Sequence, residues 1–115
     1  MTLNTEERIR FTFFISSLVW LKTGPFANAT TEFRDKIISA MNVNLAQDEQ
    51  TIALAITSLC GMYDTPSEEI QSMCKRFSSS DKTELKQIVK KCLVASGVPY
   101  EVQIEIMSIV NNLLD

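Results

Sequence analysis

Apolar residues in this chain recur at three- and four-residue steps, and nowhere do they alternate with period two over the length of a strand. A chain patterned this way folds as amphipathic helices whose apolar faces meet in a shared core. Six such segments are fenced by Ser, Thr, Asn, Gly and Pro, with short connections that favour antiparallel neighbours. The pattern therefore predicts an all-α fold, a compact bundle of six helices in one domain over residues 1–115. With 45% apolar side chains, a domain of this size buries roughly two-thirds of its unfolded surface without needing a disulfide or a metal.

The start and stop signals place the helices. Asn4 with Glu7 three residues on forms a capping pair, and Gly24-Pro25 ends the helix at Lys22 or Thr23. The apolar residues of this first helix surround most of its circumference, so it is expected at the centre of the fold. Phe13, Ser17 and Trp20 lie on a different side from Phe11, Phe14 and Leu18, which leaves part of the helix facing outward. Thr30 or Thr31 is expected to cap a second helix carrying Phe33, Ile37, Ile38 and Met41, broken at Asn42-Val43-Asn44. A third begins at Asn44 and bears Ile52, Ala55, Ile56, Leu59, Cys60 and Tyr63. Thr65-Pro66-Ser67-Glu68 reads as cap, first-turn proline and third-position acid for a fourth, with the stripe Ile70, Met73, Cys74 and Phe77. Ser80 or Asp81 is expected to cap a fifth, with Leu85, Ile88, Val89, Cys92 and Leu93 inward, and Gly97 ends it. Pro99 then begins a sixth, whose stripe is Val102, Ile106, Ile109, Val110, Leu113 and Leu114. The runs leading into Gly24 and Gly97 echo one another, as if the chain held two degenerate hairpin halves.

The residues offer little for catalysis. There is no histidine, so triads, His-based zinc sites and the usual neutral-pH base are absent. Cys60, Cys74 and Cys92 are widely spaced on apolar stripes and read as buried free thiols in a reducing compartment. The carboxylate pairs Glu6-Glu7, Asp48-Glu49 and Glu68-Glu69 each fall in a first helical turn, where the helix dipole accounts for them. No phosphate-binding glycine loop or calcium loop can be assembled from three glycines. The chain is expected to be noncatalytic, with no cofactor and no metal. Its opening residues lack a basic segment followed by an apolar one, and no apolar run reaches membrane-spanning length, so a cytoplasmic location is expected.

A net charge of -3, with both signs spread along the chain, disfavours nucleic acid as a ligand. The one concentration of cations is Lys82, Lys86, Lys90 and Lys91 on the fifth helix, with Lys75 and Arg76 just before it. These six residues are the candidate partner-binding face, suited to an acidic protein; a peripheral contact with an anionic membrane is a weaker fit. Apolar side chains beyond the needs of one seam leave room for a homodimer.

The order of helix, small-residue-Gly turn and helix at both ends, with Thr65-Pro66-Ser67-Glu68-Glu69 and Ser80-Asp81-Lys82-Thr83-Glu84 between, resembles the tellurite-resistance TerB-like family. The similarity covers most of the chain and is best over Ser80 to Leu114, where the turn reads Ala95-Ser96-Gly97. The resemblance implies a helical protein-interaction module in a stress or defence pathway, bacterial or carried on a mobile element. That family's acidic turns are thought to bind divalent cations, and their aspartates would fall here on Thr23 and Ser96. With both carboxylates missing and Glu32 and Glu101 the acids left nearby, the cation site is not expected. The alternative is a small phage- or plasmid-type inhibitor or adaptor that binds another macromolecule through a helical surface.

Overall fold

The computed structural model describes residues 1–43 and 66–115, and these form five α-helices and no strand. They are α1 (Thr5–Thr23), α2 (Asn28–Ala40), α3 (Glu68–Lys75), α4 (Ser79–Ala95) and α5 (Tyr100–Leu114). Six helices were expected from the sequence. The one placed from Asn44 to Tyr63 lies outside the described residues, as does Cys60.

Helix α1 opens with the expected capping box: the Asn4 side chain accepts from the Glu7 amide at 2.8 Å, and Glu7 accepts from the Asn4 amide at 2.9 Å. It is the central rod, packing against α2, α3 and α5. Phe11, Phe13, Phe14, Ile15, Leu18 and Val19 are all buried. Phe13 therefore belongs to the core rather than to an outward face, whereas Trp20 and Leu21 are exposed. Among the described residues, the hydroxyls of Thr12, Ser16 and Thr23 are buried without a hydrogen-bond partner.

All four other described starts differ from the sequence reading, and at α5 Pro99 stands before the helix, which opens at Tyr100. Helix α2 begins two residues before Thr30, after Ala27, with no side-chain cap. The Thr30 hydroxyl is committed elsewhere, donating to the Gly24 carbonyl at 2.6 Å to close the turn. Helix α3 is capped by Ser67, whose oxygen accepts from the Ile70 amide, so Pro66 stands outside the helix and its carbonyl accepts from Gln71. Helix α4 is capped by Ser78, which accepts from the Asp81 amide at 3.1 Å. Asp81, in the third helical position, is one of few buried polar residues and reaches away from its own helix.

The helix ends follow the expected punctuation. Gly24 (φ 107°) and Gly97 (φ 73°) both sit at positive φ, where a side chain is strained. At Gly97 the amides of Gly97 and Val98 turn back to the carbonyls of Val94 and Leu93, and Val98 is buried beneath them. Asn42 (φ 54°) ends α2 in the same way, with Val43 bonded to Ile38. Ion pairs and hydrogen bonds fix the directions. Thr2, just before α1, meets Asp81 at the start of α4, so these two helices run the same way. Lys22 near the end of α1 pairs with Glu105 early in α5 at 2.9 Å, so α5 runs back. Arg8 at the start of α1 binds the Met41 carbonyl at the end of α2, so α2 also runs back. The buried stripes of all five helices meet in one core, and the radius of gyration is 12.8 Å, against about 13 Å for a compact domain of this length.

Candidate functional site

The Lys22–Glu105 pair brings the end of α1 against the first half of α5, and with the other contacts it places the glycine turns between α1 and α2 and between α4 and α5 toward the same end of the bundle. The large apolar side chains that remain exposed among the described residues are Trp20, Leu21, Phe26, Val94, Tyr100 and Ile104. Every one belongs to these two tips: Trp20 and Leu21 end α1, Phe26 is in its turn, Val94 ends α4, and Tyr100 and Ile104 begin α5. Phe26 is 98% exposed and Tyr100 71%. A ring so placed contributes nothing to the core. The two helices that start here, α2 and α5, are also the two whose first residues lack a side-chain cap.

The opposite end is built from polar contacts. The Thr2 amide donates to both Asp81 carboxylate oxygens, at 3.2 and 3.3 Å, and the Thr2 hydroxyl donates to one of them. These donors, the Thr2 hydroxyl foremost, hold the Asp81 carboxyl below its ordinary range. The Arg8 guanidinium donates to three backbone carbonyls, those of Leu3, Met41 and Met1, at 3.0, 2.9 and 3.3 Å.

The six cations singled out in the sequence are divided by the fold. Lys82, Lys86 and Lys90 form a line along α4 at four-residue steps, which the exposed Val94 continues into the apolar tip. Lys86 is paired there with Asp115 at 2.5 Å. Lys91 is turned about 100° from Lys90 and stands on another flank of the helix. Lys75 and Arg76 are exposed at the far end of α3.

Little reactive chemistry is present among the described residues. Burial pushes the Cys74 thiol up to about 12, against a smaller opposing pull from Lys82, so it stays neutral at ordinary pH. Burial likewise raises Cys92. No three Asp, Glu or Cys side chains among the described residues lie together as a metal site. The Ser96 hydroxyl donates to the Cys92 carbonyl at 2.6 Å within its own helix end, and the Thr23 hydroxyl is buried, so neither position faces a ligand. No described helix is long and apolar enough to cross a membrane.

Sequence reasoning did not find the tips. Trp20 lies on the side of α1 expected to face outward and is exposed, but Phe26, Tyr100 and Ile104 carry no sequence signal beyond falling off the apolar stripes. No family model matches the chain, and comparison with curated proteins and with solved structures gives no match either.

Proposed function

We propose that the chain is a noncatalytic protein-interaction module that docks through the apolar tips of its two helical hairpins. The observation that carries this reading is the confinement, among the described residues, of the exposed large apolar side chains to one end of the bundle. Scattered single apolar residues are ordinary on a protein surface, whereas concentration in one region marks a place where another surface excludes water. Rings at the tips suit such a role, because they offer large contact area at small conformational cost. Neutral buried thiols and the lack of any histidine support a role without chemistry. The resemblance to TerB-like proteins supports a stress or defence pathway, without that family's cation site, since Thr23 and Ser96 replace its turn aspartates. An inhibitor or adaptor that blocks another macromolecule would use the same tips.

The Lys82, Lys86 and Lys90 line supports a second reading, in which an acidic protein is steered onto α4. Lys86 is already neutralised by Asp115, which weakens that line.

The test is co-purification from native host cells with a Phe26→Ser/Tyr100→Ser double variant. The expected result is loss of a partner that the unaltered chain retains, with helicity and melting temperature preserved. Equal recovery of the same partner by both proteins would remove the tips from the account. Lys90→Glu in the same assay addresses the second reading: partner recovery that falls with Lys90→Glu but survives the double variant would favour the basic line.

A further inference from the structure

We infer that the outward face of α4 docks a short acidic helix of a partner protein, whose carboxylates four residues apart meet the row Lys82, Lys86 and Lys90; this rests on the second reading above and is independent of the tips.

The positive charge of this face is largely unpaired. Elsewhere among the described residues Arg8 holds three carbonyls, Arg10 pairs with Glu6, and Lys22 pairs with Glu105. The side chains of Lys75, Arg76, Lys82, Lys90 and Lys91 have neither an ion pair nor a hydrogen bond among the described residues. Helix α4 itself carries four lysines against two acids, and one of those acids, Asp81, is buried and held by Thr2. Glu84 is the acid left at its surface. From the neighbouring α2, Lys36 stands close enough to Cys92 for its charge to act there, which adds a further cation beside α4. In a chain of net charge -3 this is a local surplus of the opposite sign.

The spacing and one existing contact define the occupant. Four residues of helix rise about 6 Å, so Lys82, Lys86 and Lys90 span about 12 Å in a nearly straight row. Acids four apart on a partner helix repeat that interval, and rows formed by every fourth residue are the ones that two packed helices set against each other. Asp115 shows the contact within the chain: its carboxylate lies 2.5 Å from the Lys86 amino group, and its side chain is 67% exposed. An exposed pair of this kind contributes little to the fold, so a partner's carboxylate can take its place at small cost.

Nucleic acid and membrane fit this face less well. Among the described residues the exposed rings stand at the tips, so none flanks the lysines for a base to stack on. A duplex or a bilayer would outgrow a row of about 12 Å and meet the acidic remainder of the chain.

Chemical-shift titration of the chain with a synthetic helical peptide bearing three glutamates at four-residue spacing tests the inference, with its glutamine counterpart as control. Three exposed ion pairs predict a dissociation constant on the order of 1 mM at low ionic strength, with shifts centred on α4 that fade as salt is added. Lys82→Glu/Lys90→Glu is expected to weaken binding at least about tenfold. Asp115→Asn is expected to strengthen it about twofold or more, because Lys86 is then free. These side chains lie outside the core, so folded variants are expected, and circular dichroism verifies them in the same samples. Equal shifts from the glutamine peptide, shifts centred away from α4, or binding that the double variant retains would each overturn the inference. An affinity unchanged by Asp115→Asn would overturn the seat at Lys86 and with it the three-lysine row. Tighter binding of a single-stranded oligonucleotide or of anionic vesicles at the same salt would overturn the choice of a protein partner. Host-partner recovery that falls with Lys90→Glu although the peptide does not bind would overturn the acidic-helix assignment and leave the second reading standing.

Discussion

The two ends of this bundle are finished in opposite ways. At the end where α1 and α4 begin, Arg8 gathers three backbone carbonyls and Asp81 holds Thr2, so segments far apart in sequence are tied by hydrogen bonds. At the other end the chain turns twice at glycine, two helices start without a side-chain cap, and aromatic rings stand in solvent. The first end uses its side chains to hold the fold together. The second leaves Phe26 and Tyr100 largely in solvent, with the Lys22–Glu105 pair and the Thr30 bond to the Gly24 carbonyl as its polar ties.

The sharpest way to break this contrast is at Arg8. Replacing it by methionine keeps the apolar stem but leaves the carbonyls of Leu3, Met41 and Met1 without their charged donor. Hydrogen bonds to a charged group contribute about 1.5–3 kcal/mol, and water can reach part of this site, so Arg8→Met is expected to cost about 2–3 kcal/mol in urea unfolding. A loss below about 0.5 kcal/mol, the range of ordinary surface substitutions, would show that this end is not specially secured.

Asp81 sharpens the same point through pH. Its donors, led by the Thr2 hydroxyl, lower the folded carboxyl below the ordinary value of 3.8. A carboxylate depressed in the folded state stabilises the fold above the unfolded value and loses that contribution as pH falls through the folded one. The gap in stability between the unaltered chain and Asp81→Asn is therefore expected to be constant near neutrality and to shrink as pH drops below 3.8. Melting curves of both proteins through the acid range read it directly. A gap that stayed constant down to the lowest pH, or widened, would contradict the arrangement at Thr2.

The cap of α1 and both glycine turns could be read from the residues alone, whereas neither the Arg8 and Thr2 contacts of one end nor the exposed rings of the other could. Asn4 and Glu7 announced α1 because both halves of the capping box are local. The stripe Ile70, Met73, Cys74 and Phe77 was read correctly for the same reason: burial at helical spacing is written every few residues. The start of α4 was misplaced because Ser78, Ser80 and Asp81 all carry cap chemistry. What decides among them is Thr2, 79 residues away from Asp81, which draws that carboxylate out of competition. Thr30 lost its expected role to the Gly24 carbonyl in a similar way. The basic run looked continuous as a string, but one step along a helix is a turn of about 100°, so Lys91 parts from Lys90. The tips were least legible of all. Whether Phe26 or Tyr100 is covered depends on which helix ends meet in space, and no local pattern encodes that.

The smallest expected effect falls on Ile104, and its smallness is the point. Isoleucine and serine have similar helix propensities, so Ile104→Ser leaves the intrinsic preference of α5 nearly unchanged, and any loss of stability must come from burial. Ile106, two residues along the same helix, is fully buried, whereas Ile104 is 53% exposed. If the outer face of α5 is uncovered in the single chain, Ile104→Ser is expected to shift stability by no more than about 0.5 kcal/mol in dilute solution. A loss of 2 kcal/mol or more at high dilution, about what burying such a side chain contributes, would mean that Ile104 is already covered within one copy. The contrast between a secured end and an open one would then fail at the residue chosen to mark it.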